Sequence, residues 1–234
     1  MRRVLVTSAL AATTFVFAPD ATAQMCRGSL PFASGAHVQV GGEVAGMHGS
    51  TLNRGHAETL TAAVGNNKHY GRFTAARYSF SDFGQVSSLI AGGYGDQYHV
   101  ADRSRFVFCP EAGLYYERSE LRPFSTAPAV PTRTLALEVA GRAGTLLPLR
   151  WLRTMPFVGG RIVLSRHTMT TGGGPFATIT DVTINRNYFV DTGAGILMGK
   201  RLSITGAMLF PIKIEGGFKT YSVSTAVGLG HVRP

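Results

Sequence analysis

The feature that most constrains the fold is an alternation with a period of two along most of the chain. Residues 221–229 show it best, because every second side chain is apolar or β-branched and those between are serine, alanine or glycine. Period two is the repeat of a β-strand with one apolar face, whereas an amphipathic helix repeats every 3.6 residues. About ten segments alternate in this way, so the sequence predicts an all-β protein.

The lengths of these segments distinguish two classes of β-protein. They run for about 9–14 residues, whereas soluble strands usually have about five or six and a tilted strand needs about 9–11 to cross a bilayer. The tightest connections, near 66–67 and 199–201, alternate with the longest, near 118–131 and 170–183, as periplasmic turns alternate with external loops. The sequence predicts an antiparallel up-and-down transmembrane β-barrel of about ten strands. Eight strands, or a soluble exported barrel, remain alternatives.

The composition agrees with a barrel. Charged residues make up only 15% of the chain, and 29 of its 234 residues are glycine. Only alternate residues of such a barrel meet lipid, so no long apolar run is needed, and glycines such as Gly113 and Gly159 fall on the predicted inward face. The net charge of +10 is spread over strands and loops, without the basic stripe of a nucleic-acid module. We therefore expect no nucleic-acid partner.

The first residues are typical of a secretory signal peptide. Arg2 and Arg3 precede a mostly apolar stretch, which is followed by Ala21-Thr22-Ala23, an Ala-x-Ala cleavage site. We expect residues 1–23 to be the signal peptide, 24–35 an N-terminal periplasmic segment, and 36–232 the barrel. Aromatic side chains near predicted strand ends suit interfacial girdles: Tyr70, Tyr78, Phe80, Tyr94, Tyr116, Phe157, Tyr188 and Tyr221.

On these features the chain resembles the small bacterial outer-membrane β-barrel family of the OmpA/OmpX type, in a ten-stranded variant. The segment Phe106–Glu111 is similar to a cysteine-proline strand of a ten-stranded branch of such barrels. The resemblance implies a location in the outer membrane and assembly by the barrel-assembly machinery. The family usually ends on an aromatic residue, whereas this chain ends Gly230-His231-Val232-Arg233-Pro234.

Two cysteines, Cys26 and Cys109, are predicted on the periplasmic side. Cys26 precedes the first strand, and Cys109 lies near the start of an ascending strand with the parity of the inward face. A disulfide between them would pin the N-terminal segment into the barrel mouth. The alternative is two unpaired thiols, which an oxidising periplasm disfavours.

Several charged residues share the inward parity: Glu43, Glu111, Glu117, Glu138, Arg142, Arg161 and Asp191. We expect them to form a charge network that fills a narrow interior, because buried charges must be compensated and small barrels are filled by side chains. A narrow pore and a catalytic carboxylate set are the two alternatives.

No set of residues predicts a catalytic, cofactor or metal site. The seven histidines, at 37, 48, 56, 69, 99, 167 and 231, lack a metal-ligand spacing. Thr171–Pro175 lacks the Gly-Lys-Ser/Thr ending of a phosphate loop. We therefore expect no enzymatic activity and no cofactor.

The expected function is that of an integral outer-membrane protein, a monomer with a structural or interaction role and a charged, largely filled interior. A narrow porin-like channel for small solutes is the first alternative, and an outer-membrane protease or lipid-modifying enzyme with loop-borne catalytic residues is the second. Expected partners are outer-membrane lipids, the assembly machinery and anionic lipopolysaccharide, whose phosphates would meet rim arginines: Arg54, Arg118, Arg122, Arg133 and Arg166.

Overall fold

The computed structural model of the chain describes ten separate ranges, which together hold all the strands discussed below. They are residues 38–48, 54–65, 68–80, 85–99, 106–121, 130–149, 152–171, 179–198, 201–212 and 219–229. The expected signal peptide, the segment 24–35 and Cys26 lie outside these ranges. Their predictions therefore stay predictions.

Within these ranges the chain forms twelve strands and no helix. Two are short, β5 (Tyr98–His99) and β8 (Leu147–Leu149). The long strands are β1 (Val38–His48), β2 (Arg54–Gly65), β3 (His69–Phe80), β4 (Gln85–Asp96), β6 (Phe106–Leu121), β7 (Val130–Thr145), β9 (Leu152–Thr171), β10 (Ile179–Met198), β11 (Leu202–Pro211) and β12 (Lys219–Leu229). No helix long and apolar enough to span a bilayer occurs in the described part of the chain.

The ten long strands form a closed antiparallel ring. Each pairs with its neighbours along the chain, and β1 pairs with β12, from Val38 opposite Leu229 to His48 opposite Lys219. The short strands β5 and β8 extend the sheet beside β6 and β9. The prediction of an all-β, up-and-down barrel is confirmed, with ten strands in the ring rather than eight.

The alternation seen in the sequence separates residues that face the interior of the barrel from residues that face outward. Outward side chains are largely apolar and exposed, as are Val44, Leu60 and Val223, whereas the inward residues between them are small or polar. The girdle interpretation is wrong for half of the aromatic residues, because Tyr70, Tyr78, Phe80 and Phe157 line the interior. Inward-facing side chains of a ten-stranded barrel can be large rings where the neighbouring strand carries glycine or alanine at the opposite position.

The strands differ in length, so the barrel extends further on one side than on the other. Strands β9 and β10 each have 20 residues, whereas β11 has 10. Because β11 pairs with β10 only from Phe189 onward, the preceding residues of β10 project beyond it over about 30 Å of strand. The long hairpin lies at the end opposite Val38 and Leu229.

Candidate functional site

A chain of alternating charges crosses the interior of the barrel. Arg72 pairs with Glu111 and with Glu138, the latter at 3.2 Å between Nη2 and Oε1. Arg161 contacts Glu138 at 3.5 Å and Asp191 at 3.7 Å. Arg142 donates its Nε–H to Asp191 Oδ2 at 2.6 Å. Three guanidinium groups and three carboxylates thus form one neutral network that links β3, β6, β7, β9 and β10.

A glycine lets the Arg142–Asp191 pair form across an intervening strand. Arg142 on β7 lies opposite Gly159 on β9, which in turn lies opposite Asp191 on β10. A Cβ at Gly159 would clash with Asp191 Oδ1 and lie 2.7 Å from Arg142 Cγ. The pair therefore requires the absence of a side chain at this position.

The same arrangement recurs on the other side of the network. Arg72 lies opposite Gly93, which lies opposite Gly113, which lies opposite Glu138. A Cβ at Gly93 would meet Arg72 Nε at 3.2 Å, so the arginine lies flat over two glycines on its way to its acid. The inward glycines therefore act as gaps that long side chains cross.

Tyr70 gives a third example with a phenol in place of a guanidinium. Its ring lies over Gly95, opposite it on β4. Its hydroxyl donates to Glu111 Oε2 at 2.9 Å. Glu111 therefore receives both a tyrosine hydroxyl and the Arg72 guanidinium. This provides the additional hydrogen bonding that a buried ion pair needs to offset its desolvation.

The structure brings together most of the predicted charge set. Glu111, Glu138, Arg142, Arg161 and Asp191 belong to the network. Glu43 and Glu117 face the interior as expected, but neither makes an ion pair within the described residues.

Sequence reasoning missed Arg72, which is the link between two of the acids. Residues 69–80 alternate poorly because their inward face carries Tyr70, Arg72 and Tyr78, all large, while their outward face includes Gly71 and Arg77. The sequence did carry a signal for Arg72. It lies two residues before Thr74, a small polar residue, and residues two apart in a strand share a face.

A cavity of about 460 Å³ occupies the interior around the network. Residues of the network line it together with Glu43, Glu117, Tyr78, Tyr115 and Phe189. A cavity of this size matches those that hold small organic ligands. The interior is thus crossed by ion pairs without being completely filled.

Apolar side chains pack together inside the barrel at the end where Val38 and Leu229 lie. Tyr70, Val107, Cys109, Met155 and Leu197 form one buried cluster, in which Leu197 is 1% exposed. Cys109 is buried on the inward face, as its parity predicted, whereas its expected partner lies outside the described ranges.

A serine, a histidine and a threonine form a short hydrogen-bonded chain near the opposite end. Ser165 Oγ lies 2.9 Å from His167 Nε2, and Thr134 Oγ1 lies 2.8 Å from His167 Nδ1. Nucleophilic catalysis needs an accessible hydroxyl, whereas Ser165 is only 2% exposed. This geometry satisfies buried polar groups. The described residues contain no group of three or more His, Cys, Asp or Glu that would hold a metal ion.

Arginines on the outward face lie near the end of the barrel opposite Val38 and Leu229. Arg118 on β6 lies directly opposite Arg133 on β7. Arg166 on β9, the next strand of the ring, lies opposite Leu135, which is two residues from Arg133 on β7. Arg118 also lies 3.8 Å from Glu120. Like charges placed opposite each other destabilise a sheet, and Glu120 offsets part of the repulsion between Arg118 and Arg133. Arg122 lies outside the described residues.

Comparison with solved structures identifies the fold. The β domain of the Bordetella autotransporter BrkA superposes with a TM-score of 0.54 at 8% identity, over 83% of this chain and all of that one. The translocator domain of the autotransporter NalP from Neisseria meningitidis gives 0.48 at 11% identity, covering 82% and 88%. Neisserial surface protein A gives 0.37 at 15% identity, covering 84% and 99%. No protein-family model and no curated protein sequence matches the chain. The first superposition shows that the chain shares the β-barrel fold of an autotransporter β domain.

Proposed function

We propose that this protein is an integral outer-membrane β-barrel, closed inside by its charge network, that serves as a surface interaction protein through the β9–β10 hairpin. The proposal rests on the projecting edge of β10. From Ile179 to Asn187, this strand has β9 on one side and no strand on its other side within the described part of the chain.

The outward surface supports the membrane location. Large apolar side chains are exposed all around the ring, for example Val64 on β2, Ile90 on β4 and Leu135 on β7. Exposed apolar surface of this extent marks contact with lipid or with another protein, and alternate apolar residues around a closed barrel are the pattern of a lipid-facing band. The expected signal peptide would export the chain to that membrane.

The hairpin supports the interaction role. Residues 180–186 of β10 are exposed on both faces, and Ile184 is 78% exposed. An unpaired strand edge presents free N–H and C=O groups that can pair with another extended chain, and strand addition is an established mode of protein recognition. If Val38 and Leu229 lie at the periplasmic end, the hairpin projects outside the cell.

The interior supports a closed barrel in preference to a channel. The network crosses from β3 to β10, and the apolar cluster around Leu197 narrows the end of the barrel at which Val38 and Leu229 lie. The 460 Å³ cavity favours the alternative, a narrow porin-like channel for small solutes. Planar-bilayer recording with the refolded protein distinguishes them, because the closed barrel shows no stable openings.

Two experiments test the location and the interaction role. Membrane fractionation and heat-modifiable gel mobility should place a folded barrel in the outer membrane, and release as a soluble protein would contradict this. A photo-crosslinking residue at Ile184 should give a discrete adduct with another protein in intact cells. The same residue at Ile204, on the outward face of β11, is the matched control and should give only lipid adducts.

The Arg118–Arg133 pair supports lipopolysaccharide as a lipid partner. The phosphates of lipopolysaccharide would neutralise two arginines that lie opposite each other on the outward face. Charge-assisted hydrogen bonds from arginine to phosphate are strong and often bidentate. We propose that Arg54 and Arg166 extend this contact. We also propose that the protein is a monomer, that it depends on the barrel-assembly machinery for insertion, and that it has no enzymatic role.

A further inference from the structure

Two carboxylates in the cavity are left outside the charge network. The network itself is neutral, with three arginines and three acids. Glu43 on β1 and Glu117 on β6 line the same cavity, and neither makes an ion pair or hydrogen bond within the described residues. The lining of the cavity therefore carries two more acids than arginines, although the whole chain is strongly basic.

The strand register places these two acids on widely separated parts of the wall. Starting from Glu43, successive cross-strand partners on β2, β3 and β4 are Thr59, Ala76 and Leu89, and the next partner is Glu117. Four steps around a ring of ten strands bring the second acid nearly to the opposite side. The residues between them carry no charge, and Thr59 and Leu89 line the cavity.

A buried hydroxyl two strands away from Glu43 also lacks a partner. Thr205 on β11 lies opposite Ser224 on β12, which lies opposite Glu43 on β1. Thr205 is 4% exposed, lines the cavity, and its Oγ1 makes no hydrogen bond in the structure. Buried polar atoms in folded proteins nearly always have a partner, so this hydroxyl is available to a ligand that enters the cavity.

Aromatic side chains occupy the space near both acids. Tyr78 and Tyr115 line the cavity, and Tyr78 lies within electrostatic range of Glu43 and of Glu117. Tyrosine faces attract cations through the ring quadrupole. The same rings also present apolar surface to an alkyl chain.

We propose that the cavity binds a small organic cation, an alkyl amine or diamine, with Glu43 and Glu117 as its counter-charges and Thr205 as an additional hydrogen-bond partner. A diamine places one ammonium group at each of the two separated carboxylates, and its alkyl chain can lie against the two phenol rings. A metal ion requires several ligands around one point, and the described residues offer no such group. This site is independent of the surface hairpin and of the membrane location.

The test is calorimetric titration of the refolded, full mature barrel with diaminohexane. Hexanediol, which has the same chain length and no charge, is the matched probe. We expect saturable binding of the diamine and none of the diol under the same conditions. Equal binding of the two probes, or no saturable binding of the diamine, overturns the proposal without any variant.

Isosteric variants assign the site. Glu43→Gln and Glu117→Gln should each weaken diamine binding about tenfold, because each removes one charge-assisted contact. Glu58→Gln, which changes an exposed acid on the outward face of β2, is the control and should leave the affinity unchanged. Thr205→Val should weaken binding roughly threefold. Retention of heat-modifiable mobility shows that each variant folds, and unchanged affinity in both interior glutamate variants overturns the proposal.

Discussion

Arg142 and Asp191 form an ion pair although their strands are not neighbours. The Nε–H of the arginine reaches the carboxylate at 2.6 Å by passing over Gly159 on the strand between them. Asp191 is almost fully buried, with 5% of its side chain exposed. The pair joins β7 to β10 and holds three strands of the barrel in one register.

Gly159→Ala should destabilise the folded barrel. The added methyl would occupy the space between Asp191 and Arg142 Cγ, so the ion pair must shift or break. We expect a loss of about 2–4 kcal/mol in the free energy of unfolding, measured by urea titration of the refolded protein. Gly46→Ala, where an added Cβ meets nothing within 4 Å, is the control. A loss of equal size in both variants would show that the effect is general to strand glycines.

Arg72→Met should be among the most damaging single changes in the interior. It removes the ion-pair partner of Glu111 and one of the two partners of Glu138, which keeps only its contact with Arg161 at 3.5 Å. Breaking one side of a buried ion pair costs about 3–5 kcal/mol. The measurement is the same urea titration. Adding Glu138→Gln to Arg72→Met should recover part of the loss, and a strictly additive double variant would contradict the pairing.

Removal of interior arginines should also change conductance. We expect the unaltered barrel to show no stable openings, and Arg72→Ala combined with Arg161→Ala to show small ones, because two side chains that cross the lumen are shortened. Planar-bilayer recording of folded protein makes the comparison. Frequent openings before any change would instead favour the channel alternative.

Cys26 and Cys109 should form a disulfide in the exported protein. A bond between them closes a loop of about 83 residues, which in the chain-entropy model stabilises the fold by on the order of 4 kcal/mol. Labelling of the denatured protein with a large maleimide should shift its gel mobility only after reduction. Cys26→Ser should lower stability as much as Cys109→Ser does. Labelling of both thiols before reduction would contradict the bond.

Charge reversal on the outward arginines should reduce lipopolysaccharide binding. Arg118→Glu together with Arg133→Glu replaces the opposed positive pair with a negative one. We expect less lipopolysaccharide to be retained after purification, and a weaker salt dependence of that retention. Arg201→Glu, at the opposite end of the barrel, is the control. Unchanged retention in the double variant would exclude these residues as the contact.

The fold followed from the sequence because period two survives wherever one face meets an apolar environment. Strand number and the inward parity of Glu138, Arg142 and Asp191 could be predicted from this alternation alone. The position of Arg72 could not, because its strand carries large side chains inward and the alternation is lost there.

The contacts across glycine were beyond prediction for a different reason. They depend on which residue of one strand lies opposite which residue of the next, as Gly159 lies opposite both Arg142 and Asp191. Turn geometry sets that register, and a shift of one residue reverses every side chain. The aromatic assignments for Tyr78 and Phe157 failed similarly, because nearness to a strand end does not determine which face a ring occupies.

The pairing of β1 with β12 also determines when the protein can become complete. These strands lie at opposite ends of the described chain, yet they pair along the whole 11 residues of β1. Until β12 has been synthesised, both margins of the growing sheet offer unsatisfied backbone groups to any passing strand. Contacts so distant in sequence form slowly. Closure must therefore follow synthesis. While the sheet is still open, its edges can bind a chaperone or pair with a misfolded neighbouring chain.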